Sequence, residues 1–402
     1  MGTADSDVLT IDEAAALGAR ALASRLPAAL VPLFDGAFIR SCLLYDEFVH
    51  RLALGVFRDA GLAAAARQPG TAAEIAARAG LETGRALSPV DWILRQLAAR
   101  QVLDLDGSGR FHRREPPPAL DPGSIRQEQL RHDASWLPSY VLAETVARDY
   151  PAFLRGETTG EEILFSPARF RLWFDYFSND NGLYAVNNRV GAVAVADWLP
   201  RPGGTIVELG GGLGSAAVAV LERLDAAGRL GELGGYRFTE LVPVFLRRGQ
   251  RALESRFPDV RVLTCSVLDM NRPFAEQGIQ PGSAAVVYAV NTLHVAHDLA
   301  FTLAEVFTAL EPGGRLIVSE CVRPFPGQSL YPEFVFNLME SFRSPRLHPE
   351  YRPNGGFLTP EQWSRALAAA GLGAVRLLPD VAALRDAFPS FYVAAIGATR
   401  PG

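Results

Sequence analysis

The chain has 402 residues, of which 49% are hydrophobic and 21% are charged, and its formal net charge is −5 at pH 7. This apolar content is ample for packed cores and argues against long disorder, and the acidic balance gives no global basic field for nucleic acid. All 39 basic residues are arginine, which excludes a lysine Schiff base and a P-loop lysine.

The N-terminus, MGTADSDVLTIDEAAALGARAL, begins acidic and lacks the basic and then apolar pattern of a signal peptide. No apolar run reaches the length of a membrane span. The three cysteines, Cys42, Cys265 and Cys321, are widely spaced and form no CxxC pair. These features predict a cytoplasmic protein without a membrane segment.

Residues 10–70 show the pattern of helices rich in alanine, leucine and arginine. A capping box, with Thr71 followed three residues later by Glu74, begins another helix, and a second amphipathic helix and a hairpin over DLDGSGRFH follow. This order is the outline of a winged helix. We therefore expect residues 1–115 to form a helical, winged-helix-like domain. Its apolar stretch before residue 70 is too large to leave exposed, which predicts a homodimer.

The proline-rich EPPPALDP comes next, and residues 116–200 are expected to form a helical linker and lid region. Residues 201–402 alternate apolar strands with amphipathic helices, including a helix over FTLAEVFTALEPGG and a strand over RLIVSECV. This alternation predicts an α/β fold with a doubly wound, mostly parallel, Rossmann-like sheet. Ligands of such sheets bind beyond the carboxyl ends of the strands.

A glycine-rich turn follows the first predicted strand in VELGGGLGSAA, where Glu208, Gly210, Gly212 and Gly214 form the pattern E-x-G-x-G-x-G. The dinucleotide fingerprint narrowly fails, because Ser215 stands at the position of its last glycine. An acid beside the glycines disfavours a pyrophosphate and suits a cationic ligand. S-adenosylmethionine has a sulfonium and an ammonium and no phosphate. The alternative is a tight turn in an unrelated α/β domain.

Polar residues also end the next three predicted strands. Glu240 is placed to accept both hydroxyls of a ribose, Asp269 to meet an adenine amine, and Asn291 to complete the set. Each of these residues, taken alone, is as readily a helix cap as a ligand contact. Together with Glu208 they predict an S-adenosylmethionine site at one edge of the sheet.

His294 directly follows the fourth predicted strand, and Glu320 ends the fifth. Adjacent parallel strands that end together would bring the two side chains close. A histidine whose second nitrogen is held by a carboxylate is an oriented general base. The alternative is a buried histidine with a structural role. The sequence shows no metal-ligand spacing, so no metal is expected.

Residues 200–400 resemble the class I S-adenosylmethionine-dependent methyltransferases. NTLHVAHDLAFTL and LEPGGRLIVSE look like the C-methyltransferase domains of polyketide synthases. The N-terminal part instead resembles small-molecule O-methyltransferases, whose first domain dimerises. Those enzymes usually have His-Asp-Trp after the fourth strand, where this chain has Val295 and Ala296. Both families use a His–Glu pair, and their lid position corresponds here to Tyr184. The resemblance leaves carbon and oxygen acceptors open and slightly favours carbon.

A long segment between the fifth strand and the next helix is the expected acceptor side. Its residues at helical spacing, which either line an apolar pocket or belong to the core or a dimer contact, are Phe334, Asn337, Leu338, Met339 and Phe342. Its arginines, which either bind an anionic acceptor or form a solvated face, are Arg323, Arg343, Arg346 and Arg352.

The sequence thus predicts an enzyme that moves the methyl of S-adenosylmethionine to carbon or oxygen of a small, secondary-metabolite-like acceptor. Two rivals stay open: a protein that binds S-adenosylmethionine for other chemistry, and a ligand-sensing regulator that uses the winged helix on DNA. Residues 71–115 carry no lysine, so the charge for phosphate binding is thin. We therefore expect no nucleic-acid partner.

Overall fold

The structure, a computed structural model, describes residues 10–260 and 262–402. The chain divides into two compact units, the first ending at Arg155 and the second comprising Gly156–Gly402. The division falls inside the segment 116–200 that the sequence analysis assigns to a linker.

Helices make up most of the first unit. Over the described residues they are Ile11–Ala23 (α1), Gly36–Asp59 (α2), Leu62–Ala65 (α3), Ala72–Arg78 (α4), Thr83–Ala99 (α5), Pro122–His132 (α6) and Leu137–Leu154 (α7). An antiparallel hairpin pairs Asp104–Leu105 (β1) with Phe111–His112 (β2). The predicted capping box is present, because the Thr71 hydroxyl accepts from Glu74 N and the Glu74 carboxylate accepts from Thr71 N. The order helix, helix, hairpin is therefore confirmed, and the winged-helix assignment stays a prediction.

Helix α2 is the centre of the first unit and packs against α1, α6 and α7. Its Phe48 ring lies 4.4 Å from the ring of Tyr140 in α7, and both side chains are fully buried. Much of the apolar surface of α2 is therefore covered inside this unit. The homodimer inferred from that surface stays a prediction.

The second unit alternates strands and helices. Its described strands are Gly204–Leu209 (β3), Leu233–Glu240 (β4), Leu263–Val267 (β5), Ala284–Val290 (β6), Leu310–Cys321 (β7), Gly373–Leu378 (β8) and Val393–Thr399 (β9). Its described α-helices are Gly160–Phe165 (α8), Phe170–Tyr176 (α9), Gly182–Trp198 (α10), Ser215–Ala226 (α11), Pro243–Arg256 (α12), Leu299–Ala309 (α13), Glu333–Phe336 (α14), Glu340–Arg343 (α15), Pro360–Ala369 (α16) and Val381–Leu384 (α17).

The strands of the second unit form one sheet, in the order β5-β4-β3-β6-β7-β9-β8 among the described residues. Strands β3 to β7 pair in parallel, and β9 is antiparallel to both β7 and β8. This is the predicted doubly wound, mostly parallel α/β sheet, and β9 and β8 form an antiparallel pair at one of its edges. Strand β3 pairs with both β4 and β6, so the winding reverses beside it, and such a switch point is where open α/β sheets bind ligands.

Burial is complete in the middle of the sheet. Every residue of β6 is buried, as expected of a central parallel strand covered on both faces. Helix α10 lies directly on it at Gly191, where an added Cβ would overlap the hydroxyl of Tyr288. The missing side chain lets the helix approach the strands that carry the site.

The predicted helix over FTLAEVFTALEPGG is wrong at its end. Helix α13 stops at Ala309, and the following residues already belong to β7. Pro312 cannot continue a helix, because it has no N–H and its ring clashes with the preceding turn. Among the described helices, none is both long and apolar enough to cross a membrane.

Candidate active site

The glycine-rich turn connects β3 to α11 in a conformation that requires glycine. Gly210, Gly212 and Gly214 have φ of +60°, +57° and +83°, a region that costs a residue with a Cβ about 1–2 kcal/mol. Gly214 is the N-cap of α11. The free space differs between two positions of the turn. A Cβ on Gly210 would overlap Thr292, whereas a Cβ on Gly212 would meet no atom of the described residues within 4 Å.

Glu240, at the end of β4, ties the turn to the neighbouring strand. Its carboxylate accepts from Gly212 N at 2.9 Å and from Val242 N at 2.7 Å. The side chain is buried, and burial raises the pKa of this carboxyl. Leu241 follows directly and is 51% exposed. A buried carboxylate and an exposed aliphatic side chain thus lie together beside the glycines.

Glu208 is buried at the end of β3, with 1% of its surface exposed. Its Oε2 accepts from the Tyr236 hydroxyl at 2.9 Å, whereas its Oε1 is buried without a hydrogen-bond partner among the described residues. Burial raises the pKa of this carboxyl to about 8. The site therefore contains a buried acid with one oxygen to which no described residue donates a hydrogen bond.

Two other strand-end residues bond mainly to nearby protein groups. Asp269 accepts from Asn271 N at 2.9 Å, in the loop after β5. Asn291 has a φ of +48°, and its Oδ1 accepts from Asn187 Nδ2 at 2.8 Å and from Cys321 N at 3.1 Å. The side chain of Asn291 thus joins α10, β6 and β7 at the carboxyl end of the sheet.

Tyr184 lies in the first turn of α10 and is half-buried. Its ring centroid is 5.1 Å from that of Phe177 and 5.8 Å from that of Tyr176. Burial raises the pKa of the Tyr184 hydroxyl, and the negative charges of Glu208 and Glu240 raise it further. Tyr184 is therefore close enough to Glu208 and Glu240 for their charges to act on its hydroxyl.

The predicted contact between His294 and Glu320 is confirmed. His294 lies in the short 3₁₀ turn Leu293–Val295 after β6, and its Nδ1 is 2.7 Å from Glu320 Oε2 in β7. Both side chains are buried, with 4% and 0% of their surfaces exposed. An ionised Glu320 only accepts hydrogen bonds, so Nδ1 donates to it, and in the neutral imidazole Nε2 then keeps its lone pair.

Backbone amides fix the other oxygen of Glu320. Its Oε1 accepts from Thr292 N at 3.1 Å and from Leu293 N at 3.0 Å. The carboxylate thus faces the imidazole with one oxygen and the turn that carries the imidazole with the other. This arrangement sets the orientation of the ring and its tautomer.

Thr292 connects the histidine turn with the glycine turn. Its hydroxyl lies 3.3 Å from Gly210 O and 2.9 Å from Val290 O, and its side chain fills the space that a Cβ on Gly210 would need. The two halves of the candidate site therefore meet at one residue.

Two aromatic rings lie beside the imidazole. The His294 ring centroid is 4.7 Å from that of Phe357 and 5.8 Å from that of Phe342. The residues predicted at helical spacing do not share one helix, because α14 ends at Phe336, Met339 is extended with ψ of 131°, and α15 begins afterwards. Phe334, Asn337, Leu338 and Phe342 are nonetheless all buried.

The four arginines of this segment bond within the protein. Arg323 pairs with Glu333 at 2.5 Å, Arg346 pairs with Asp298 at 2.6 Å, and Arg343 Nη2 lies 3.5 Å from Leu338 O. Arg352 is 1% exposed. The expectation of a solvated face is therefore wrong for Arg352 and for Arg323, whose side chain is 12% exposed.

Some contributors have no signal in the sequence. The amides of Thr292 and Leu293 act through the backbone, and Phe357 and Arg352 reach the histidine turn from a distant loop. Asn187 lies in α10, and only the packing of this helix on the sheet brings it to Asn291. Across residues 10–260 and 262–402, no group of three or more His, Cys, Asp or Glu is arranged to hold a metal.

The sheet order, the glycine turn and the strand-end acids together define the fold of the class I S-adenosylmethionine-dependent methyltransferases. Solved structures agree: the CurJ carbon methyltransferase matches with a TM-score of 0.73 and 21% identity, over 98% of this chain and 98% of that one. The citrinin polyketide synthase CMeT domain matches with a TM-score of 0.72 and 18% identity, over 96% and 97% of the two chains. An O-methyltransferase family 2 protein from Planctomyces limnophilus has a TM-score of 0.51 at 18% identity, over 89% and 94%.

The sequence relatives are polyketide synthases by name, and no protein-family model matches the chain. Highly reducing polyketide synthase 2 of Gibberella zeae is 27% identical over 254 residues, which are 61% of this chain and 9% of that protein. Polyketide synthase PksM of Bacillus subtilis is 25% identical over 262 residues, 63% of this chain and 6% of that protein. The chain thus spans less than a tenth of the length of these relatives.

Proposed function

We propose that the protein transfers the methyl group of S-adenosylmethionine to an acidic carbon of a small organic acceptor. The observation that carries the proposal is the buried His294–Glu320 pair, which is joined through Thr292 to the glycine turn. A base fixed beside a cofactor turn is what proton removal from an acceptor needs. We place this activity in the cytoplasm and in a homodimer, as expected from the sequence.

The residues of the turn fit the cofactor. Glu208 has an unpartnered buried oxygen suited to the cationic end, and Glu240 would hold the ribose hydroxyls, because each of its oxygens can accept a second hydrogen bond. The open space at Gly212 leaves room for the cofactor to approach the backbone closely. Leu241 offers an apolar surface to the adenine of the cofactor. When bound, the cofactor supplies an activated methyl group.

The chain's own residues then do two things. The aromatic rings of Phe342 and Phe357 keep water from the imidazole and give the acceptor an apolar wall. His294 Nε2 takes the proton from the acceptor, and Glu320 stabilises the imidazolium through Nδ1. Holding acceptor and methyl in line accounts for much of the rate.

A carbon acceptor has more support than an oxygen acceptor. The fold is nearer to two carbon methyltransferases, with TM-scores of 0.73 and 0.72, than to the O-methyltransferase with 0.51. The proteins from Gibberella zeae and Bacillus subtilis are both polyketide synthases by name.

With methyl-¹³C-labelled S-adenosylmethionine, we expect the label to enter 1,3-dicarbonyl acceptors and not phenols. A carbon between two carbonyls gives a stabilised carbanion, for which a single base is sufficient. NMR of the product separates carbon-bound from oxygen-bound methyl by chemical shift. Label on phenolic oxygen alone would reverse the assignment of the acceptor atom. Binding of the cofactor without label transfer to any acceptor would favour other chemistry.

Calorimetry on metal-stripped protein should show micromolar binding of S-adenosylmethionine and a proton released from Glu208. Because the pKa of this carboxyl is raised to about 8, it is protonated below that pH and must ionise to pair with a cation. The contribution of Glu208 to the affinity should therefore rise from neutral pH to about 8 and level off above it, by at most about tenfold per pH unit.

The matched variant for this measurement is Glu208→Gln, whose amide oxygen can still accept from Tyr236. The cofactor's own amino group also titrates, at about 7.7–8.0, and this contribution is common to both proteins. Heats measured in buffers of different ionisation enthalpy give the number of protons released. Equal release from wild type and Glu208→Gln would remove Glu208 from cofactor binding.

The alternative of a DNA-binding regulator has weak support from the charged residues of the winged-helix-like region. Three arginines of the helix–helix–hairpin region already form ion pairs: Arg95 with Asp91, Arg110 with Glu74 and Arg114 with Asp104. DNA phosphates would have to compete with these carboxylates for the guanidinium groups. We therefore propose no nucleic-acid partner, and salt-dependent DNA binding would contradict this.

A further inference from the structure

Arg352 lies directly behind the turn that carries His294, although 58 residues separate them in the chain. Its Nη2 donates to His294 O at 2.5 Å, and its Nη1 donates to Ala296 O at 2.6 Å. The side chain is 1% exposed. One guanidinium thus holds two carbonyls of the histidine turn.

The histidine turn has few bonds of its own. Its backbone is closed by Val295 N to Thr292 O and by Ala296 N to Leu293 O, both at 3.1 Å. A single 3₁₀ turn has poor hydrogen-bond geometry and little cooperative stability. Its position therefore depends on groups that hold it from outside.

Arg352 is a costly group for a purely structural role. Burial lowers the pKa of its guanidinium to about 10, and the nearby carboxylates of Asp298 and Glu320 raise it, so the group is charged at neutral pH. Its Nε is buried without a hydrogen-bond partner among the described residues. Apolar residues that replace buried charges often stabilise a protein, so stability alone is a weak reason for an arginine here.

We propose that Arg352 is a positioning residue for His294. Its planar fork fixes the two carbonyls and thereby the direction from which the imidazole meets Glu320 and the acceptor. This inference rests on the proposed function, because it assigns Arg352 a role only through the base.

The test begins with Arg352→Lys, which keeps the charge but cannot donate to both carbonyls in the fork geometry. We expect the single-turnover rate of methyl transfer to fall about 10²-fold, the cost of a misplaced reacting group. The dissociation constant of S-adenosylmethionine should stay within about threefold, because the glycine turn is untouched. The matched control is Arg346→Gln, in the same loop, whose side chain is 72% exposed and pairs with Asp298; it should keep the wild-type rate.

A double variant shows whether Arg352 acts through the base. In a His294→Ala background, Arg352→Lys should cause no further loss. The ¹H resonance of His294 Nδ1 should shift or broaden in Arg352→Lys and stay unchanged in Arg346→Gln. A wild-type rate or resonance in Arg352→Lys, or a full additional loss in the double variant, would overturn the inference.

Failure of the two proposals can be told apart. If His294→Ala keeps the wild-type rate, the proposed function fails, whatever Arg352 does. If His294→Ala is inactive and Arg352→Lys is fully active, only the present inference fails. If Arg352→Lys and Arg352→Gln both fail to fold, Arg352 is needed for folding and the positioning role is overturned.

Discussion

Replacing His294 with alanine should lower the single-turnover rate of methyl transfer by about 10²–10⁴-fold, the usual contribution of a general base. Cofactor affinity should stay within about threefold, since His294 is bound to Glu320 and the rings of Phe342 and Phe357 rather than to the glycine turn. The control is His297→Ala, an exposed histidine three residues later. A stable His294→Ala protein that binds cofactor and turns over normally would remove His294 from the mechanism.

Glu320→Gln should reduce the rate by a comparable factor. The amides of Thr292 and Leu293 hold one carboxylate oxygen, so a glutamine would keep its oxygen there and turn its NH₂ toward His294. Nδ1 would then accept, and Nε2 would carry the proton, which is the wrong tautomer for a base. Imidazole ¹⁵N shifts distinguish the tautomers. An unchanged tautomer with an unchanged rate would contradict this reading of the pair.

Gly210→Ala should mainly reduce stability, whereas Gly212→Ala should also reduce cofactor binding. Both positions have positive φ, +60° and +57°, so each variant should lose about 1–2 kcal/mol from backbone strain. Gly210→Ala should lose roughly 1–3 kcal/mol more from overpacking against Thr292. Gly212→Ala meets no protein atom, and its methyl should instead weaken S-adenosylmethionine binding by tenfold or more.

Thermal unfolding and calorimetry on the same two proteins make this comparison. Adding Thr292→Ser to Gly210→Ala removes the overlapping methyl and should recover part of the lost stability. Equal stabilities for the two single variants would show that the contact with Thr292 is relieved at little cost. Normal cofactor affinity in Gly212→Ala would place the cofactor elsewhere.

Most of the sheet is predictable because its strands are apolar runs that end in polar residues. The Val207–Glu208 end of β3 and the Ser319–Glu320 end of β7 show this pattern. The contact between His294 and Glu320 also follows from the sequence, since adjacent parallel strands end at the same edge. These predictions need only local pattern and strand order.

The remaining features depend on contacts between distant segments. The sequence places Arg352 in a group of arginines, and nothing local distinguishes the buried one from Arg346 on the surface. The break at Met339 between α14 and α15 likewise has no strong signal, because neither glycine nor proline lies between Glu333 and Arg343. The bond from Asn187 to Asn291 depends on how α10 lies on the sheet. Loop packing of this kind is decided by tertiary structure.

Thr292 has a thermodynamic consequence for the proposed reaction. Its side chain touches the glycine turn at Gly210, and its amide binds the carboxylate that orients His294. A ligand that shifts the glycine turn therefore changes the conformational free energy of the His294 turn. An acceptor that shifts the His294 turn likewise changes the conformational free energy of the glycine turn. Linkage requires these effects to be equal, so the factor by which cofactor alters acceptor affinity is the factor by which acceptor alters cofactor affinity.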